Sequence, residues 1–264
     1  MNTYSLEHQN YLKKIKNKKR IIVLLQIAIV IFLLIGWEIL AKTGVINSFL
    51  TSCPSAILKT IGDLIKNNDL FVHIGVTAYE TLLSFALATI IGLFIATLLW
   101  WNKTLAKVVD PYLTILNSLP KVSLGPLIII WAGANVKSII LMAILISIFT
   151  TILNMYTAFN KVDADKVTLL KSFGASKIKI FFHLVLRSNL SAIMNTLKVN
   201  IGLSFIGVIM GELLVSKQGL GYLITYGSQI FNLNLVITAI FILGILFYLF
   251  YLVASYIEKK VSNR

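Results

Sequence analysis

The chain has 264 residues, of which 58% are hydrophobic and only 13% are charged, and its mean hydropathy is +0.87. A soluble domain of this size cannot bury so much apolar surface, so the composition excludes an ordinary soluble protein and indicates one that lies in a bilayer. The formal net charge is +14. The lysines stand between hydrophobic runs rather than on a polar domain, which argues against a nucleic-acid partner.

A basic segment at 1–20, expected to be cytoplasmic, precedes six apolar runs that are long enough to cross a hydrocarbon core of about 30 Å as helices. The predicted spans cover about 21–41, 74–101, 108–132, 137–159, 189–214 and 234–257. The sequence thus predicts an all-α integral membrane protein, in which residues 21–264 form one transmembrane domain.

The third predicted span holds three of the four prolines in the chain, Pro111, Pro120 and Pro126. Proline removes a backbone donor and kinks a helix, and broken backbone inside a membrane is tolerated where protein or a water-filled cavity satisfies the freed groups. Two interpretations stay open. The segment either lines a cavity or is an ordinary kinked helix in a packed bundle.

A few polar and aromatic residues within the apolar segments are candidates for a translocation path. A charge at the centre of a spanning helix costs about 2.5 to 3.5 kcal/mol on insertion scales, so Lys121 and Lys198 either face an aqueous path or a partner, or extend to the interface. Glu80 and Glu212 are acidic residues that could pair with either lysine. The candidate path residues are Asn117, Ser118, Lys121, Trp131 and Glu212.

Gly207 and Gly211 form a G-x-x-x-G pattern in the fifth predicted span. Small residues at this spacing let helix backbones approach closely. The pattern predicts tight helix packing, either within one subunit or against a second copy of the chain.

The distribution of Lys and Arg predicts the orientation, because basic residues resist translocation. Six basic residues precede the first span and six lie in the 160–188 connection, and the carboxyl-terminal tail adds Lys259, Lys260 and Arg264. With six spans, all three groups fall on one side of the membrane. Both termini and the 160–188 loop are therefore expected to be cytoplasmic.

The 160–188 loop contains two short amphipathic pieces that flank Gly174. After this glycine, Ile178, Phe181, Phe182 and Val185 recur at helical spacing and predict one apolar face. Gly174 can end a helix in the left-handed conformation. Neither piece is long enough to span, so the pair predicts either a knob for a cytoplasmic partner or an interfacial anchor on anionic lipid.

Residues 165–191, DKVTLLKSFGASKIKIFFHLVLRSNLS, resemble the cytoplasmic EAA loop of ABC-importer permeases. Gly174, Ala175 and Ser176 match the core of that motif, whereas 168–170 read Thr-Leu-Leu in place of Glu-Ala-Ala and Arg187 replaces a proline. The resemblance extends over roughly 50–260. Its further landmarks are CPSAI at 53–57, DPYL at 110–113, LGPLIIIWAG at 124–133 and SKQGLGYLI at 216–224, which are similar to the nitrate, sulfonate and taurine branch.

This resemblance implies a permease subunit of an ATP-driven importer in a bacterial plasma membrane, with two short coupling helices between spans four and five. The implied partners are a second copy of the permease, two cytoplasmic ABC ATPases and an extracellular or periplasmic solute-binding protein. The implied ATPase-coupling residues are Thr168, Leu169, Leu170, Gly174, Ala175, Ser176, Ile178, Phe181 and Phe182.

The resemblance implies no catalytic residue and no cofactor held by this chain. The sequence has no G-x-x-x-x-G-K-[ST] phosphate loop, so ATP and Mg²⁺ are expected to be used by the partner ATPase. No metal site is expected either, since Cys53 is the single cysteine and the three histidines are far apart.

The expected cargo is a small anion such as a sulfonate, taurine or nitrate. A small heterocyclic vitamin precursor of the thiamine or riboflavin type is the alternative. A channel or a secondary transporter would also match the hydropathy, but it does not account for the basic helix-glycine-helix loop. An intramembrane enzyme is disfavoured because no nucleophile and base are assembled within the spans.

Overall fold

The computed structural model describes residues 6–262, which are mostly helical and contain no strand. The helices are α1 Leu6–Lys42, α2 Ser48–Thr51, α3 Pro54–Lys66, α4 Asp69–Trp101, α5 Lys103–Ser118, α6 Gly125–Ala132, α7 Val136–Asn160, α8 Ala164–Ser172, α9 Lys177–Ile180, α10 Leu186–Ser188, α11 Leu190–Val215, α12 Leu220–Gln229 and α13 Leu233–Ser262. A 3₁₀ turn at Lys121–Leu124 precedes α6, and a π-helical turn at Phe181–Val185 joins α9 to α10. Residues 1–5 of the predicted basic segment, and Arg264 of the predicted tail, lie outside the described residues.

Five segments in the described part of the chain are long and apolar enough to cross a membrane, and they contain α1, α4, α7, α11 and α13. A sixth span is obtained if α5 and the 3₁₀ turn with α6 are counted together. The predicted all-helical membrane fold is therefore confirmed.

The third predicted span, 108–132, is not one straight helix. Its two halves meet at an angle of 85°, and α5 already begins at Lys103. The break falls at Leu119, which has extended backbone, and at Pro120, whose φ of −72° and ψ of 79° are also non-helical. Proline cannot supply the amide hydrogen that a continuous helix needs, and it disfavours helical backbone in the residue before it.

Two helices outside the predicted spans complete the bundle. Helix α3 is amphipathic and begins with Pro54 in its first turn, where a proline loses no helical hydrogen bond. Helix α12 lies beside the end of α11, and the Thr225 hydroxyl of α12 donates to the Leu213 carbonyl of α11 at 3.0 Å. The sequence prediction treated both stretches as connections.

Helices α4, α7 and α11 form the centre of the bundle through small residues. A Cβ on Gly207 would stand 2.4 Å from Ala143 Cα, and one on Gly211 would stand 2.9 Å from Ile139 Cα. Since Ala143 and Ile139 both belong to α7, the G-x-x-x-G pattern packs α11 within one subunit. Helix α1 instead lies at the edge of the bundle with most of its side chains exposed, as expected for a lipid-facing helix.

Candidate coupling surface and polar cluster

Helix α8 is closed at both ends by local hydrogen bonds. The Asp163 carboxylate accepts from the Asp165 amide at 2.9 Å, which satisfies one of the free donors of the first turn. At the other end, the Gly174 amide donates to the Lys171 carbonyl and the Ala175 amide donates to the Leu170 carbonyl. This pair of bonds is a Schellman motif. It requires the left-handed backbone that Gly174 adopts, with φ of +77°.

Beyond Gly174, the predicted apolar face divides into a buried and an exposed part. Phe181 is only 4% exposed and Val185 is fully buried, whereas Ile178 and Phe182 are both 57% exposed. The π-helical turn that begins at Phe181 adds a residue to the helical repeat. Side chains at α-helical spacing therefore do not all point the same way.

Phe181 packs among aromatic rings at the ends of two spanning helices. Its ring centroid lies 5.1 Å from that of Trp100 at the end of α4 and 5.4 Å from that of Phe159 at the end of α7. Ring pairs at such distances contribute beyond the area that they bury. Phe181 thus anchors the loop to the bundle, and its predicted role in ATPase coupling stays a prediction.

The other predicted coupling residues lie at or near the surface of the loop. Leu170 and Ala175 are half-buried and pack against the buried group that includes Phe159 and Phe181. The exposed ones are Thr168, Leu169, Gly174, Ser176, Ile178 and Phe182. Phe173, which the prediction left out of this set, is 79% exposed. Its position directly before the positive-φ glycine is the signal that could have identified it, because a helix end projects outward there.

Leu169, Phe173, Ile178 and Phe182 are the large apolar side chains exposed on this loop, and we call them the coupling patch. Their exposed fractions are 55%, 79%, 57% and 57%. They lie on α8, on the turn after it, and on α9 with the π-helical turn. Large apolar side chains exposed on one short segment are typical of surfaces that bind a protein partner or a membrane.

A second cluster of polar groups lies at the break between α5 and α6. The Lys121 ammonium donates to the Asn117 carbonyl at 2.9 Å and to its side-chain oxygen at 3.3 Å, and it stands 5.8 Å from the Phe149 ring centroid. The Thr150 hydroxyl donates to the same Asn117 side-chain oxygen at 2.9 Å. The structure thus brings two predicted path residues, Asn117 and Lys121, into contact.

The remaining predicted path residues do not join this cluster. The Ser118 hydroxyl donates to the Thr114 carbonyl of its own helix at 2.9 Å, and Trp131 is 73% exposed at the end of α6. Glu212 is 1% exposed, and both of its carboxylate oxygens accept hydrogen bonds from the bundle. The Glu212 carboxylate is therefore engaged in holding α12, and its predicted place on the translocation path stays a prediction.

Lys198 has a partner that the sequence did not identify. Its ammonium lies 2.6 Å from a Glu258 carboxylate oxygen, which joins α11 to α13. The sequence had suggested Glu80 or Glu212 as possible partners of the lysines. Glu258 is 60 residues away in the chain, so only the packing of the two helices brings the charges together.

A comparison with protein families identifies the class of this bundle. Residues 88–263 match the family described as "Binding-protein-dependent transport system inner membrane component". The match covers more than half of the chain, and the chain belongs to this family. It is a multi-pass inner-membrane protein and a transport permease component of an ABC importer.

Relatives named for sulfonate and taurine transport support the predicted branch, and another relative is named for formylaminopyrimidine transport. It is 27% identical over 209 residues to the putative aliphatic sulfonates transport permease protein SsuC of Bacillus subtilis, covering 79% of this chain and 76% of the relative. It is 27% identical over 216 residues to the formylaminopyrimidine transport permease protein ThiX of Halalkalibacterium halodurans, covering 82% and 86%. The taurine transport system permease protein TauC of Escherichia coli is 20% identical over 245 residues, covering 91% and 89%.

The fold is also found among solved structures. An inward-facing conformation of the MetNI methionine ABC transporter superposes with a TM-score of 0.65 at 20% identity, covering 72% of this chain and 94% of that chain. At this level of identity the similarity shows the fold alone.

Proposed function

We propose that this chain forms the translocation path of an ATP-driven importer, and that movement of the ATPases is transmitted to it through the coupling patch. Two copies form the path, two ABC ATPases bind to the cytoplasmic loops, and a solute-binding protein delivers cargo from outside. The ATPases bind ATP and Mg²⁺, and this chain holds neither. ATP-driven closure moves the loops and shifts the bundle between inward-open and outward-open states, because the ATPase makes different contacts in the two states.

The observation that supports this proposal is the shape of the loop. Two short helices are joined rigidly by the Schellman motif, and apolar side chains project from them although neither helix can span a bilayer. Such a knob supplies hydrophobic anchors for a groove on a partner protein. An interfacial anchor on lipid, the alternative from the sequence, would need the same side chains to enter the membrane.

The proposed cargo is a small anion such as a sulfonate or taurine. The relatives named for aliphatic sulfonates and taurine support this class, and so does the Lys121 ammonium within an otherwise apolar segment. The relative named for formylaminopyrimidine transport supports a heterocyclic vitamin precursor as the second candidate. Uptake of labelled taurine and of a labelled formylaminopyrimidine into cells that carry the full importer would distinguish the two classes.

A charge within the coupling patch tests the docking role. We expect Phe182→Asp and Ile178→Asp to reduce co-purification of the cognate ATPase by about tenfold or more, because an unpaired carboxylate is costly to bury in an apolar interface. Membrane insertion and permease yield should not change. The measurement is the ATPase-to-permease ratio after affinity purification of the tagged permease from cells that express both subunits.

Phe231→Asp is a matched control for this experiment. Phe231 is 73% exposed, lies after α12 on the opposite predicted side of the membrane, and has a left-handed backbone that aspartate tolerates. It should leave the ATPase-to-permease ratio at the wild-type value. A wild-type ratio for Phe182→Asp as well would contradict docking through the coupling patch.

A further inference from the structure

Lys177 connects the coupling loop to the end of α4. Its ammonium stands 5.2 Å from the Trp101 ring centroid and 5.8 Å from that of Trp100. It also donates a hydrogen bond to the Trp101 carbonyl. Trp101 is the last residue of α4, where carbonyl groups lack helical partners and the helix dipole favours a cation. One side chain therefore makes three kinds of favourable contact with one helix end.

Phe181 reinforces this attachment from one turn further along the loop. It lies four residues after Lys177, and its ring contacts both Trp100 and Trp101. The same ring packs on Phe159 at the end of α7. Lys177 and Phe181 thus hold the start of α9 and the π-helical turn against two spanning helices that do not adjoin the loop's second half in sequence.

Two neighbouring lysines make no comparable contact. Lys171 and Lys179 are exposed, and the structure shows no side-chain partner for either among the described residues. Simple solubility of a basic loop would not require one lysine to lie across two tryptophan rings. Cation–π contacts of lysine with tryptophan are among the stronger pairs of this kind.

We propose that Lys177 is a positioning residue that latches the coupling loop to α4, so that displacement of the loop moves α4 as well as α7 and α11. The inference rests on the proposed function, since the displacement comes from the ATPase. Without the latch, the loop remains connected by its peptide links to α7 and α11, and it can slide against the end of α4. Lys177 acts through Trp100 and Trp101 and is not expected to touch cargo or nucleotide.

Spin-label distances between the loop and α4 test this latch. In a Cys53→Ser background, Lys171→Cys and Phe94→Cys place labels on exposed positions of α8 and α4. For the permease alone, we expect a narrow distance distribution with Lys177. We expect one that is at least about twofold broader with Lys177→Gln, because the cation–π contacts to Trp100 and Trp101 and the positive charge at the end of α4 are lost.

Two further variants separate the latch from a general effect of charge. Lys177→Arg should restore the narrow distribution, since a guanidinium can stack on tryptophan and donate to the same carbonyl. Lys179→Gln removes the same charge without touching α4 and should leave the distribution narrow. An equally narrow distribution with Lys177→Gln, or a broad one with Lys179→Gln, would overturn the proposal.

The same labels in the complex with ATPase test what the latch transmits. In the wild type we expect the distance to stay the same between the nucleotide-free and ATP–vanadate-trapped states, because the loop and α4 move together. In Lys177→Gln it should change. A normal complex whose distance changes in the wild type would overturn the latch alone. Failure of the wild-type permease to bind the ATPase would overturn the proposed function, and with it the role of the latch in coupling. The distances measured on the permease alone would still decide whether Lys177 holds the loop against α4.

Discussion

Glu212 shows how a single buried carboxylate organises the end of a spanning helix. Its two oxygens accept from the Thr77 hydroxyl at 2.7 Å and from the Gly221 amide at 2.6 Å. The Thr77 hydroxyl in turn accepts from the Leu220 amide at 2.8 Å. These bonds satisfy the first two amides of α12, which have no partner within the helix.

The glycines around Glu212 are explained by its position. A Cβ on Gly219 would stand 2.4 Å from the Glu212 carboxyl carbon, and one on Gly221 would stand 2.7 Å from Glu212 Cβ. Gly219 also has φ of +103°, which other residues rarely adopt. Both glycines of the SKQGLGYLI landmark are therefore required by the packing of one carboxylate.

Glu212→Gln should destabilise the permease. The Gln amide group has one acceptor oxygen, so either the Thr77 hydroxyl or the Gly221 amide loses its acceptor, and an unpaired buried donor costs about 1–3 kcal/mol. We expect a lower unfolding temperature in detergent, followed by fluorescence. Glu38→Gln is the control, because the one oxygen of the glutamine amide can still accept from the Ser55 amide. The variant loses only the ion pair with the largely exposed Lys42, and surface ion pairs contribute little. Equal unfolding temperatures for the two variants would contradict the clamp.

At the scale of elements, close backbone contacts determine how α4, α7 and α11 pack. Gly92 of α4 meets the Thr151 side chain of α7, with a built Cβ 2.7 Å from its methyl carbon. Gly207 and Gly211 of α11 meet the backbone of α7. In a membrane, where lipid removes the hydrophobic advantage of helix contact, such small-residue packing is a main source of association.

Gly207→Ala should therefore separate α11 from α7. A Cβ there would stand 2.4 Å from a backbone atom, which cannot rotate away, and overpacking costs typically about 1–3 kcal/mol. We expect a lower unfolding temperature and a shorter half-life at fixed temperature in detergent.

Gly244→Ala in α13 is the matched control for Gly207→Ala. A Cβ at Gly244 meets nothing within 4 Å, and alanine favours helix over glycine by up to about 1 kcal/mol. Gly244→Ala should equal or exceed the wild type in stability. An unfolding temperature and half-life of Gly207→Ala equal to those of the wild type would contradict this prediction, since the helices would then accept the added methyl group without loss of stability.

The coupling loop is the other element whose packing departs from simple periodicity. Spacing by three and four residues placed Ile178, Phe181 and Phe182 on one face. The π-helical turn and the aromatic rings of Trp100 and Phe159 instead draw Phe181 inward. No local pattern identifies such a turn, because it depends on rings supplied by distant helix ends.

At the scale of the whole molecule, the proposed mechanism requires the coupling patch and the α11–α12 connection on opposite sides of the membrane. The two regions lie at opposite ends of α11, which is 26 residues long. A helix of that length spans about 39 Å, more than a hydrocarbon core. One end of α11 must then face the cytoplasm and the other must face outside.

Cysteine accessibility in intact cells tests this orientation. In a Cys53→Ser background, we expect Lys217→Cys to react with a membrane-impermeant maleimide from outside, and Lys171→Cys to react only after permeabilisation. Both side chains are exposed, so burial does not confound the result. Labelling of Lys171→Cys in intact cells would contradict cytoplasmic coupling and both cytoplasmic termini.

The sequence by itself determined that this chain is a helical membrane protein, where its continuous spans lie, and that a glycine-divided basic loop follows the third of these continuous spans. These properties depend on local composition, on hydrophobic length and on the conformational freedom of Gly174, all of which can be read from neighbouring residues. The tertiary structure alone decided the 85° break after α5, the burial of Phe181, the Glu212 clamp and the Lys198–Glu258 pair. Each of these depends on residues far apart in the chain or on the direction that the backbone takes after a break, and both are set only when the helices pack together.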